Sequence, residues 1–306
     1  MEENKKEVKI RIAGMGALGV MYGDFIKEQG GDISFVMDKQ RLEKYRGQEV
    51  LCNGRSQIFQ MEESSQASPA DLVIVAVKYG GLQSVIETIQ NSVGENTVIL
   101  SVMNGIISEE MLAARYGWDK VIYAIAEGMD AMKFGHRLRY SRMGKIVIGA
   151  ARPGQKKQAE KAAGIFKGLG LPYEEVPDIM HRLWGKFMLN VGVNQVCMAY
   201  GTDYEGALGK HKEAHEDMLR AMREVIALGK AEGIPLTEKD MDYYIGLLEQ
   251  LDPKGMPSMA QDRISRRLSE VEMFAGTVIP LGEKHGISTP VNRKLYEKIL
   301  EIEKHY

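Results

Sequence analysis

Short apolar, β-branched runs recur through the first half of the chain, at Val8 to Ala13, Ile33 to Met37, Leu72 to Val77, Thr97 to Val102 and Val121 to Ala126. Near-continuous runs of this length, separated by stretches of helical periodicity, predict parallel strands covered on both faces. Between the first two runs, Leu18, Met21, Tyr22, Phe25 and Ile26 fall at helical spacing, so 14–29 reads as a crossover helix stopped by Gly30-Gly31. A later strand pair is expected near Arg137 to Tyr140 and Lys145 to Ile148, followed by a helix from Lys156 to Leu169 and a short strand at Tyr173 to Val176.

Beyond Asp178 the β pattern disappears. The remaining periodicity predicts helices over 178–200, 205–232, 237–250, 258–285 and 290–305, with Thr237 and Asp240 as a capping pair and Pro253, Pro257, Pro280 and Pro290 as breaks or kinks. The expectation is an α/β chain of two domains. Residues 1–177 form a Rossmann-type, doubly wound, dinucleotide-binding domain, and 178–306 form an all-helical substrate and catalytic domain.

Composition narrows the function. Among 306 residues, 40 Lys plus Arg nearly cancel 42 Asp plus Glu, leaving no global field to attract nucleic acid or an anionic membrane. Two cysteines, Cys52 and Cys197, provide neither a disulfide framework nor a zinc cluster and suit a reducing compartment. The opening MEENKKEVKI carries no apolar leader, and no run approaches the roughly 18 apolar residues of a membrane span. A cytoplasmic protein without a metal is expected.

The candidate chemistry begins with Gly14-Met15-Gly16-Ala17-Leu18-Gly19, a GxGxxG turn directly after the first strand and at the mouth of a helix. The first glycine permits the tight turn, the second lets backbone approach a pyrophosphate, and the third permits close packing of helix on strand. Asp38, at the end of the second strand, stands at the distance expected of a ribose ligand. Lys78 and Asn104-Gly105 follow strands at the sheet's carboxyl edge, where ligands bind in open α/β sheets, although a solvated lysine and an ordinary Asn-Gly turn fit equally. Lys186, Asn190 and Asn194 form a stripe at four-residue spacing among Leu183, Phe187, Met188, Val191 and Val193, which suggests a polar cavity or, alternatively, the exposed face of a half-buried helix. Ser258, Asp262, Arg266 and Glu270 repeat the spacing, as a second wall of that cavity or a solvated ion-pair face.

Taken together, these residues resemble the ketopantoate reductase (2-dehydropantoate 2-reductase) family. The resemblance rests on GMGALG at 14–19, AVK ending at Lys78, MNG at 103–105, WGKFMLNVGVN at 184–194, SMAQD at 258–262, SEVEMFAG at 269–276 and HGISTP at 285–290. It implies reduction of 2-dehydropantoate to pantoate, on the route to pantothenate and coenzyme A, by an NAD(P)-dependent oxidoreductase. It also implies Lys186 and Glu270 as catalytic residues, Asn190, Asn194, Ser258 and Asp262 as substrate ligands, and Asn104 near both nicotinamide and substrate. The family implies NADP(H), whereas Asp38 stands where many members carry an arginine and favours NAD(H). Gly255 and Cys197 stand where members often carry asparagine and threonine. The implied partner is a small keto acid, and a homodimer is compatible with the pattern.

The chemistry supports the same roles independently. Hydride transfer to a ketone builds negative charge on the carbonyl oxygen, so a cation able to supply a proton is required, and Lys186 can do both. The alternatives are a related enzyme acting on another 2-keto or 2-hydroxy acid, or a nucleotide sensor without turnover. The last would need neither Lys186 nor Glu270.

Overall fold

The computed structural model describes residues 8–306. Met1 to Glu7, part of the stretch read as lacking an apolar leader, lie outside the described residues. The chain divides into two compact units. The first runs to Met103 and resumes over Ser108–Ile179, and the second comprises Asn104–Ile107 and Met180–Tyr306.

In the first unit the elements in chain order are β1 (Lys9–Ala13), α1 (Ala17–Glu28), β2 (Asp32–Met37), α2 (Lys39–Tyr45), β3 (Val50–Cys52), β4 (Arg55–Gln57), β5 (Gln60–Glu63), β6 (Leu72–Val75), α3 (Leu82–Thr88), β7 (Val98–Ser101), α4 (Ser108–Tyr116), β8 (Val121–Glu127), β9 (Met132–Phe134), β10 (Arg137–Arg139), β11 (Lys145–Gly149), α5 (Gln155–Leu169) and β12 (Tyr173–Glu175). Eight strands form one sheet in the order β12-β11-β8-β7-β6-β1-β2-β5. From β8 to β5 all neighbours are parallel, and β11 runs antiparallel to β8. The strands predicted from apolar runs are buried along both faces, with Ile10, Ile12, Leu72, Ile74, Leu100 and Ile122 fully enclosed. Burial of this kind excludes water from the ladder and is what a doubly covered parallel sheet requires.

Arg137 to Tyr140 and Lys145 to Ile148 do not pair with each other, contrary to the expectation from sequence. β10 joins β9, β3 and β4 in a separate small sheet, whereas β11 extends the main one. The short members of the small sheet carry too few apolar residues to register as periodic runs. Helix α1 ends as expected: the Gly30 amide donates to the Lys27 carbonyl and that of Gly31 to Ile26, both at 3.0 Å, with Gly30 in the left-handed region at φ 75°.

The second unit is helical: α6 (Ile179–Tyr200), α7 (Lys212–Ala231), α8 (Glu238–Leu248), α9 (Ser258–Ile264), α10 (Ala275–His285) and α11 (Pro290–Glu303). Thr237 and Asp240 form a capping box on α8, and Pro290 occupies the first turn of α11. Two predicted helices are shorter than expected. The helix expected over 205–232 is interrupted: a short π-helical segment, Gly206–Lys210, breaks at Gly209, which lies at φ 135°, and α7 proper begins at Lys212. The helix expected over 258–285 breaks after Ile264, because Arg266 adopts φ 48° and the Arg267 amide turns back to the Asp262 carbonyl at 2.9 Å. Among the described residues no helix is long and apolar enough to cross a membrane.

Candidate active site

The glycine turn after β1 is built as its spacing requires. Gly14 lies at φ 115°, and a Cβ there would fall 2.3 Å from the Ala76 carbonyl oxygen; a Cβ on Gly19 would fall 2.0 Å from that of Gly14. Both glycines are therefore demanded by the packing of α1 and its turn against the chain beyond β6. Gly16 differs. Its nearest neighbour to such a Cβ is 3.7 Å away, it is exposed, and as the residue before α1 it has extended backbone with no side chain capping the helix. The first turn of a twelve-residue helix thus presents backbone amides that Met15, Ala17 and Leu18 cannot cap, a ready site for a phosphate. The cradle fits a dinucleotide.

Asp38 caps the next helix. Its carboxylate accepts from the Arg41 amide at 2.8 Å, and Arg41 Nε lies 3.6 Å from the other oxygen. The residue expected to meet a ribose is thus tethered to a guanidinium on the same turn, and Asp38 remains 42% exposed. Lys78 is exposed immediately beyond β6.

In the helical unit, α6 carries Lys186, Asn190 and Asn194 on one face, surrounded by buried Leu183, Trp184, Phe187, Met188 and Val191. Asn104 reaches this unit because Gly105, at φ 87°, packs against Met273, directly after Glu270 in the short 3-10 turn Val271–Met273. The consequence is a bridge: Lys186 Nζ donates to Asn104 Oδ1 at 3.2 Å, and Asn104 Nδ2 donates to Glu270 Oε2 at 3.1 Å. Glu270 is 9% exposed, so its carboxylate sits in a setting that strengthens polar contacts.

A second network runs beside it. Asn194, 4% exposed, accepts through Oδ1 from Ser258 Oγ at 2.9 Å and from the Met259 amide at 3.2 Å, while its Nδ2 donates to Asn190 Oδ1 at 3.2 Å. These bonds fix polarity. Asn190, its oxygen engaged, offers amide donors, and Ser258, its proton engaged, offers lone pairs.

The structure therefore brings together Lys186, Asn104 and Glu270, and separately Asn190, Asn194 and Ser258. The four-residue stripe 258-262-266-270 does not exist as such, since α9 ends before its last two members. Asp262 is buried and bound to Arg267 Nε at 2.9 Å, an ion pair that ties the loop after α9 to that helix. Arg267, rather than Arg266, makes this pair because the left-handed Arg266 shifts the register by one. Cys197 is buried, its thiol donates to the Asp203 carbonyl, and burial pushes it up to about 12, so it stays a neutral thiol. Just after the Asn104 loop in the chain, in the first turn of α4, lies a buried acid, Glu109, that sequence reasoning misses: Ser108-Glu109-Glu110 reads as an ordinary acidic helix start, and nothing in it marks one carboxyl as enclosed.

Comparison with known proteins identifies the family and the fold. Residues 10–153 match the model of the family described as ketopantoate reductase PanE/ApbA, and residues 178–303 match ketopantoate reductase PanE/ApbA C terminal. A 2-dehydropantoate 2-reductase of Aquifex aeolicus is 28% identical over 297 residues, 93% of this chain and 94% of that one. One from Archaeoglobus fulgidus is 27% identical, covering 96% and 98%. In fold, the chain resembles a PanE/ApbA family ketopantoate reductase from Ralstonia eutropha with a TM-score of 0.83 at 24% identity, covering 97% of this chain and 99% of that one. It also resembles D-mandelate dehydrogenase in its ternary structure with NADH and anilino(oxo)acetate, with a TM-score of 0.84 at 23% identity over the same shares. The two family matches together span most of the sequence, and the chain belongs to the ketopantoate reductase PanE/ApbA family.

Proposed function

We propose that this protein is a nicotinamide-dependent reductase that converts 2-dehydropantoate to pantoate. The observation that carries the reading is the Lys186-Asn104-Glu270 bridge, a cation held at a fixed point by an amide whose other end is held by a buried carboxylate. Reduction of a ketone needs a preorganised positive donor at the oxygen that gains charge. Lys186 supplies it, and its Nζ passes a proton to the forming alkoxide. Glu270 holds Asn104, and Asn104 holds Lys186, so the cation meets the oxygen without first reorganising.

The turn Gly14–Gly19 and the amides opening α1 would hold the pyrophosphate of the cofactor, with Asp38 and Lys78 at the edges of the site. The dihydronicotinamide, when bound, supplies the hydride. Asn190 presents donors suited to a carboxylate or carbonyl oxygen, and Ser258 presents an acceptor suited to a hydroxyl. Asn194 fixes both of these polarities. A substrate that carries a carboxylate, a ketone and a hydroxyl matches that set.

One observation favours a second reading, in which the substrate is a different 2-keto acid. A Cβ on Gly255 would fall 2.9 Å from the Tyr204 ring and 2.9 Å from the Asp252 carbonyl oxygen, so no polar side chain fits there without moving Tyr204. A substrate side chain with less hydrogen-bonding demand would suit such a wall.

The test is oxidation of NADPH and NADH by purified protein across 2-dehydropantoate, 2-ketoisovalerate and phenylglyoxylate. A preference for 2-dehydropantoate over 2-ketoisovalerate of roughly a hundredfold in kcat/KM is expected, because donors matched to a hydroxyl are left unpaired by an analogue without one. Lys186→Ala should lower turnover by at least about a hundredfold and leave dinucleotide binding intact. Comparable rates on both acids would favour the second reading, and no turnover on any keto acid would remove the reductase assignment.

A further inference from the structure

Resting on that reading, we infer that Glu109 is a positioning residue for Asn104, acting through Ser108 and Ser101 to close the two ends of the loop that carries the Asn104 amide. Asn104–Ile107 leaves the sheet unit after Met103 and returns to it at Ser108. Its two ends are joined by side chains. The Met103 amide donates to Ser101 Oγ at 3.2 Å, the Ser101 and Ser108 hydroxyls lie 2.9 Å apart, and Ser108 Oγ stands 2.8 Å from Glu109 Oε2. Ser101, Ser108 and Glu109 are each at most 2% exposed, so water does not substitute for any of these contacts.

The chain of hydrogen bonds has a direction. Ser108 owns one hydroxyl proton and has two oxygen neighbours, Ser101 and Glu109. With Glu109 ionised, every proton has a receiver: the Met103 amide gives to Ser101, Ser101 gives to Ser108, and Ser108 gives to the carboxylate. With Glu109 protonated toward Ser108, the sequence reverses, and the Ser101 hydroxyl loses its acceptor. The carboxylate also accepts from its own amide, at the start of α4, and from the Ala124 amide of β8. β7 pairs with β8 through Ile99 and Leu100, opposite Val121 and Ile122, so the Ala124 amide lies beyond that ladder and Glu109 serves in place of a strand. One buried carboxyl thus ties α4, β8 and both ends of the loop.

Burial pushes this carboxyl up to about 7, against the hydrogen bonds from Ser108 and the two amides. The titratable and charged groups around it are Glu110 on the same helix, Tyr123 on β8 and Arg152 beyond β11; Arg152 faces both Tyr123 and Glu110. The completed chain is therefore the state above neutral pH, and the Asn104 loop is expected to be held most firmly there.

The experiment uses the full chain with Glu109→Gln, Glu109→Leu and Ser108→Ala. Glutamine keeps an acceptor for Ser108 but does not titrate, and leucine keeps bulk but accepts nothing. In wild-type protein the side-chain amide signals of Asn104 in a nitrogen-15 NMR titration should move with a midpoint near 7, and Glu109→Gln should abolish that movement while retaining kcat within a few fold at pH 8. Glu109→Leu and Ser108→Ala should lower kcat about tenfold with the KM for dinucleotide unchanged. The NMR reading does not depend on turnover, so it stands or falls even if no keto acid is reduced, whereas absence of turnover in wild type would strike only the functional reading. An Asn104 titration unaltered in Glu109→Gln overturns the inference. So does wild-type kcat in Ser108→Ala; should Glu109→Leu fail to fold, Glu109→Gln and Ser108→Ala still decide.

Discussion

Lys186 Nζ meets Asn104 Oδ1 at 3.2 Å, across 82 positions of sequence, and the same asparagine donates to Glu270 through its other amide atom. An amide placed between an ammonium and a carboxylate answers both, accepting from one and donating to the other. Asn104→Ala should release Lys186 from this anchor and deprive the buried Glu270 oxygen of that donor. A fall of about tenfold to a hundredfold in kcat is expected, from loss of preorganisation. Steady-state kinetics at saturating cofactor measures it, and an unchanged kcat would show that Asn104 does not orient the lysine.

The three glycines of the Gly14–Gly19 turn should separate in their effects. Gly14→Ala and Gly19→Ala each place a methyl group against backbone oxygen at 2.3 and 2.0 Å, so both should lower the unfolding midpoint substantially. Gly16→Ala meets nothing closer than 3.7 Å and should fold normally while weakening dinucleotide binding, since its methyl would project from the mouth of α1. Thermal unfolding alongside a fluorescence titration with NADH and NADPH distinguishes the two classes. Equal loss of stability in all three would mean that Gly16 is structural as well.

Asp38 caps α2, and on the reading proposed above it would also face the cofactor ribose. Asp38→Ala removes the cap on α2 at a cost of about 1 kcal/mol and releases Arg41. Loss of the carboxylate also removes repulsion toward a 2'-phosphate, so the ratio of kcat/KM for NADPH over NADH should rise; Asp38→Arg should raise it further. A ratio unaffected by either change would place cofactor choice elsewhere.

Stability should depend on Glu109 through pH. Its carboxyl lies at about 7 in the folded chain, against 4.5 when exposed. Between those values the native state keeps a proton that the unfolded chain has released, so stability is lost as pH rises through this window, with the loss complete above about 7. At about 1.4 kcal/mol per pH unit the group accounts for about 3 kcal/mol. Urea midpoints at about pH 5 and pH 8 should therefore differ less in Glu109→Gln than in wild type. Identical differences would show that Glu109 titrates alike in both states.

Most of the sheet unit is legible in the sequence because its strands are apolar and fully buried, which leaves a pattern in the chain itself. The Lys186-Asn190-Asn194 stripe is legible for a related reason: a single helix, Ile179–Tyr200, holds all three. The companion stripe fails at Arg266, because a non-glycine residue at φ 48° is not foreseeable from its type. Of the small sheet, the strand expected near Arg137 to Tyr140 is found as β10, but its pairing with β9 and β3 and the strands β3, β4 and β9 themselves leave no trace, for want of apolar alternation. Asn104 is marked by its place after a strand, but its attachment to Glu270 depends on Gly105 packing against Met273, a contact between segments far apart in the chain. Glu109 leaves no signal at all, since enclosure of a carboxyl is a property of the folded surroundings and not of the local sequence.

The assignment of Asn104–Ile107 to the helical unit carries a consequence for dissecting the protein. A fragment starting at Met180 would contain almost all of that unit's helical chain and yet lack the four-residue plug that Gly105 lays against Met273. Such a fragment should emerge with an exposed apolar gap and without the Asn104 anchor for Lys186, and supplying the plug as a separate peptide would carry the full entropy of association for so small a piece. Joining 103–108 to the fragment through a short linker would hold the plug covalently, because the helical unit is discontinuous in the chain and no single cut in the sequence separates it from the sheet unit.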